Sequence, residues 1–68
     1  MNLQVTMKRI REAKGFTQME LAKKAVLGSS TIGEIETGVN ASTVKTLEKI
    51  AKALKLNMEE KVELFLSM

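Results

Sequence analysis

The stretch TQMELAKKAVLGSSTIGEIET, residues 17–37, decides the fold. Thr17 with Glu20 three positions on is a capping box, in which each side chain satisfies an amide that a helix start leaves unpaired. Leu21, Ala22 and Ala25 then return at helical spacing. After a turn of about four residues containing Gly28, a third helix is expected from about Ser29 to Thr37. Ile32 and Ile35 face inward there, and Gly38 ends it. Two short helices across so tight a turn make a helix-turn-helix arrangement. The charge of this segment is unusual. From Ala25 to Val44 there are two glutamates, Glu34 and Glu36, and no Lys or Arg, although the chain as a whole carries 11 Lys and Arg against 8 Glu.

Working outward, a first helix is expected from about Leu3 or Val5 to Lys14, with Met7 and Ile10 inward and Gly15 as its stop. A fourth begins after Ser42 or Thr43. It places Val44, Leu47, Ile50, Ala51 and Leu54 on one side and Lys45, Lys49 and Lys52 on the other. The fifth starts at Asn57, with Glu60 again three residues on, and covers about residues 58–67. Alternation of the strand kind is too rare for a sheet. The expected fold class is therefore all-α, a compact five-helix bundle in which residues 1–68 form a single domain. Gly33 stands inside a short helix, where it costs about 1 kcal/mol relative to Ala. Tolerance on an exposed face is the preferred explanation; close approach of another backbone, a phosphate or a partner helix is the other.

Composition narrows the function classes. A chain of 68 residues buries a small core, worth roughly 3–5 kcal/mol without a staple. Cys, His and Asp are absent, so disulfides, thiolate or imidazole metal sites and most acid–base pairs are ruled out, and no cofactor or metal is expected. Oligomerisation is the remaining route to added stability, which favours a dimer. No long apolar run precedes a cleavage site and none approaches the ~18 residues of a bilayer span, so a cytoplasmic protein without membrane contact is expected. The net charge of +3 fits an anionic partner.

The order IREAKGFTQMELAKKA, then SSTIGEIETG, then TVKTLEKIAKAL resembles the lambda-repressor and Cro type of DNA-binding domain, the XRE family. The resemblance runs from about Met7 to Met58 without a gap. Its strongest elements are Lys14-Gly15-Phe16-Thr17-Gln18, Glu20-Leu21-Ala22, Ser30-Thr31-Ile32, Ile35-Glu36 with Gly38, and Thr46-Leu47 through Leu54. It implies a lambda-repressor-like bundle whose third helix enters the major groove of double-stranded DNA. Carried over by position, Ser29, Ser30 and Glu34 face base edges. Gln18 contacts the DNA backbone and braces the reading helix. Thr37 and the loop Val39-Asn40-Ala41 lie along the phosphates, with Lys45 beside them. Arg11 and Glu36 form a partly buried ion pair.

The sequence departs from the family in two places. Family members commonly carry Arg or Lys at the positions of Ser29, Glu34, Val39 and Asn40, and each missing cation removes roughly one unit from the salt dependence of DNA binding. Lys8, Arg9, Lys14, Lys23, Lys24 and Lys45 are the cations that could compensate at the edges. The family also has Gly at the position of Val26, where the chain turns left-handed. Either Val26 is strained or the turn is rebuilt around Gly28; the rebuilt turn is favoured.

At the C-terminus, Leu64, Phe65, Leu66 and Met68, with Met58 and Val62, exceed what one inward face can hold. The surplus is expected to form a two-fold dimer interface. The leading functional expectation is thus a sequence-specific transcriptional regulator, repressor-like, acting by operator occupancy as a homodimer. The alternative is a protein-interaction module on the same scaffold, with helix three and the apolar tail binding a partner protein and DNA contact vestigial. An enzyme is set aside, since Ser29-Ser30-Thr31 has no base partner at a suggestive spacing.

Overall fold

The computed structural model describes residues 2–39 and 42–68. These form five α-helices and no strand: α1 Leu3–Ala13, α2 Gln18–Lys24, α3 Thr31–Thr37, α4 Val44–Leu54 and α5 Met58–Leu66. The all-α, five-helix expectation holds.

Helix starts follow local chemistry. Thr17 with Glu20 and Asn57 with Glu60 form complete capping boxes. Asn2 accepts from the Gln4 amide, and Thr43, rather than Ser42, accepts from the Thr46 amide. α3 differs. It begins two residues later than expected, at Thr31, and Ser30 before it makes no capping hydrogen bond through its side chain.

Four helices end in one motif. An amide two or three residues beyond the helix reaches back five positions: Phe16 to the Arg11 carbonyl, Leu27 to Ala22, Val39 to Glu34 and Leu56 to Ala51. This closure requires a left-handed residue at the corner. Gly15 and Gly38 serve after α1 and α3, but Val26, at φ +58°, and Lys55, at φ +52°, serve after α2 and α4. The turn is therefore not rebuilt around Gly28. The Leu27–Ala22 bond, at 2.8 Å, holds Val26 in the glycine conformation at a cost of about 1–2 kcal/mol.

The core joins Met7, Ile10, Leu21, Ala22, Ile32, Ile35, Leu47, Ile50, Leu54 and Leu64. α3 packs on α1 and α2, α4 on α2 and α5, and α5 on α1. The chain ends are tied as well, since Ser67 Oγ hydrogen-bonds with Thr6 Oγ1 at 2.9 Å and both residues are buried. Leu64 is fully buried, which removes it from the expected dimer surface. It lies inward because α5 is clamped between α1 and α4, and only one of its faces can close the core. Phe65 is half-buried against the same core, whereas Leu66 and Met68 are exposed.

Candidate nucleic-acid interface

α3 has two anchors and one free side. Ile32 and Ile35 sink into the core, while Glu36, near its end, is held by hydrogen bonds. Arg11 Nε donates to Glu36 Oε2 at 2.6 Å and Nη2 to Oε1 at 3.1 Å. The third guanidinium nitrogen donates to the Phe16 carbonyl at 2.7 Å, fixing the turn between α1 and α2. Both side chains are over nine-tenths buried. Their bond holds the Arg11 guanidinium above even its usual high pKa, so it stays charged at any ordinary pH.

Gln18 completes this network. Its Nε2 donates to Glu36 Oε1 at 3.1 Å, so the first residue of α2 is bound to the end of α3. This also accounts for Gly33. A Cβ at that position would lie 3.2 Å from Gln18 Oε1, tighter than ordinary contact. The neighbour that a methyl would press on is a side chain of α2, and Gly33 is half-buried rather than on an open face. Gln18, expected both on the DNA backbone and as a brace for the reading helix, is bonded to that helix. The amides of Gln18 and Met19 remain at the start of α2, because Thr17 and Glu20 have already filled the amides on either side. The Glu20 carboxylate that caps this end has its pKa held below the glutamate range, chiefly by the Thr17 amide.

Other expected contact residues are spread around this frame. Ser29 and Ser30 are exposed in the turn ahead of α3, and Glu34 is half-exposed in its first turn. Thr37 is exposed, but its hydroxyl bonds back to the Gly33 carbonyl at 2.9 Å, so it must rotate before donating to a phosphate. Lys45 is exposed at the second position of α4. Asn40 and Ala41 lie outside the described residues.

Three of the supposed compensating cations are engaged elsewhere. Arg9 pairs with Glu63 and Lys14 with Glu60, both on α5, and Lys24 lies 5.5 Å from the Phe16 ring centroid. Among the described residues, Lys8, Lys23 and Lys45 have no ion-pair partner. The interface is therefore poor in positive charge as well as acidic at Glu34. The bond from Gln18 to Glu36 was not legible as a contact, because it depends on the relative placement of α2 and α3.

Comparison with known proteins agrees with this frame. The helix-turn-helix family matches residues 7–61. Antitoxin HipB of Escherichia coli strain K12 is 40% identical over 52 residues, which are 76% of this chain and 59% of that protein. Antitoxin HipB of Escherichia coli O6:H1, strain CFT073, is 38% identical over 52 residues, covering 76% of this chain and 55% of that protein. The chain thus spans little more than half the length of these relatives. No solved structure matches it significantly. The match over residues 7–61, with α2 and α3 set as a helix-turn-helix, places the chain in the XRE-type helix-turn-helix family of DNA-binding transcription regulators.

Proposed function

We propose that this protein is a sequence-specific transcriptional regulator that occupies an operator as a homodimer, with the free side of α3 in the major groove. The observation that carries this reading is the Arg11–Glu36–Gln18 network, which fixes the angle of α3 against α1 and α2 while leaving Ser29, Ser30 and Glu34 outward. Glu34 suits a cytosine N4 donor, and the two serines suit either bases or phosphates. Gln18, Thr37, Asn40 and Lys45 are assigned to the DNA backbone. With so few cations, affinity relies more on these hydrogen bonds than on counterion release. The dimer surface is assigned to exposed Leu66 and Met68, and paired half-sites require its two reading helices about 34 Å apart.

Mobility shift on fragments from the source genome, with competitor DNA and at about 0.05 and 0.2 M salt, tests the reading. A competitor-resistant complex that Glu34→Lys weakens is expected. Salt-erased binding that Glu34→Lys strengthens on any sequence would overturn it.

A second reading comes from the relatives. Both are named antitoxins, and by analogy this chain would act together with a protein partner. The acidic, cation-poor reading side favours such a partner, as does apolar surface at α5.

A further inference from the structure

The side of the molecule built by α4 and α5 has a chemistry opposite to that of α3. A surface groove of about 470 Å³ runs along α5, with Leu56, Met58, Val62 and Phe65 as its apolar lining. A second groove of about 580 Å³ adjoins it, sharing Leu56 and Lys61 and adding Lys52 and Lys55. Glu48 is the one carboxylate in either lining. Among the described residues these three lysines have no ion-pair partner; Lys61 Nζ lies 6.0 Å from the Phe65 ring centroid. Met58 is 80% exposed and Val62 49% exposed. Lys55 owes its position to the left-handed closure that ends α4, which turns the chain directly into Leu56 and α5.

We propose that this groove binds an acidic amphipathic helix of a partner protein. The helix lays its apolar side on Leu56, Met58, Val62 and Phe65 and sets its carboxylates against Lys52, Lys55 and Lys61. α5 is nine residues, about 13 Å, so it matches apolar anchors over about two turns of an incoming helix. Two other occupants fit less well. DNA phosphates would suit the lysines but bring no apolar surface to Met58 and Val62. A second copy of this chain, docked by two-fold symmetry through this groove, would repeat the same patch on both sides and oppose lysine with lysine. Of the acids on this chain's α5, Glu60 and Glu63 are already paired with Lys14 and Arg9, which leaves Glu59 alone to answer three lysines. The proposal gives the protein-partner reading a site and a chemistry, and it does not depend on how α3 is used.

Titration of the whole ¹⁵N-labelled chain, followed by amide chemical shifts, tests it. The probe is a synthetic helical peptide of about 14 residues with leucines at i, i+4, i+7 and glutamates flanking them. Binding on the order of 10–100 μM is expected, with shifts centred on residues 52–65. A Lys55→Glu/Lys61→Glu variant that keeps its helical circular dichroism should bind at least roughly tenfold more weakly. A scrambled peptide of the same composition that binds as well would overturn the proposal, as would shifts centred on α3 or no binding. Displacement of the peptide from the groove by random duplex DNA would also overturn it, making the groove a phosphate-tracking surface. Operator binding by the same variant separates the readings: it should persist, whatever the groove binds.

Discussion

At the scale of single residues, Arg11 and Glu36 matter most. Each is buried, and each satisfies hydrogen bonds of the other that no apolar neighbour could replace. Arg11→Ala should cost about 3–5 kcal/mol, because it leaves the Glu36 carboxylate buried with Gln18 as its remaining partner. The double variant Arg11→Met/Glu36→Leu should lose far less, since no bare charge remains. Urea unfolding of the two variants measures the difference. Gly33 makes a separate point. Gly33→Ala raises helix propensity by about 1 kcal/mol but places a methyl against Gln18 Oε1. Stability should hold or rise slightly, while specific DNA affinity falls as Gln18 is displaced from Glu36; thermal unfolding and a binding isotherm on the same sample separate the two effects.

Local chemistry at their starts supports α2 and α5, helices of seven and nine residues, beside their packing on the core. Glu20 and Glu60 each accept the amide of their own cap residue, at 2.9 Å and 3.1 Å, and this lowers both pKa values. For Glu60, the Lys14 ammonium adds to that effect. A carboxylate with a depressed folded-state pKa contributes stability that is full above its unfolded value, ~4.3, and is lost as the pH falls through the folded value. Stability should therefore drop on acidification through this range. Glutamine can still close a capping box. Glu20→Gln/Glu60→Gln should consequently show a shallower fall in melting temperature between about pH 4.5 and 2.5 than the parent chain. An unchanged slope would mean that other carboxylates govern acid unfolding.

For the molecule as a whole, the arrangement of five helices sorts one apolar C-terminal pattern into three uses. Leu64 closes the core, Phe65 and Val62 border the α4–α5 groove, and Leu66 and Met68 face out. If the last two form the dimer surface, Leu66→Glu/Met68→Glu should yield a folded monomer by sedimentation equilibrium with weaker operator binding. Leu64→Ala would instead destabilise each subunit by about 2–5 kcal/mol, as large-to-small core changes do. A Leu66→Glu/Met68→Glu protein that sediments like the parent would exclude this surface.

Five helices, the two capping boxes and the helix-turn-helix frame were legible in the residues alone. Periodic apolar residues and capping boxes act over three to seven positions, and so are written locally in residues such as Thr17, Glu20, Ile32 and Asn57. Even the departures were visible locally, in the missing cations at Ser29 and Glu34 and in the valine at position 26. Only the tertiary structure decided how these were resolved. The closure from Leu27 to Ala22 imposed the left-handed conformation on Val26, and packing of α5 between α1 and α4 buried Leu64. Arg9 and Lys14 went to α5 rather than to a nucleic-acid face, and Gln18 was drawn to Glu36 over Gly33. Apart from the closure at Val26, which spans five residues, these outcomes depend on distances between residues far apart in the chain, which the angles between packed helices set and local periodicity does not.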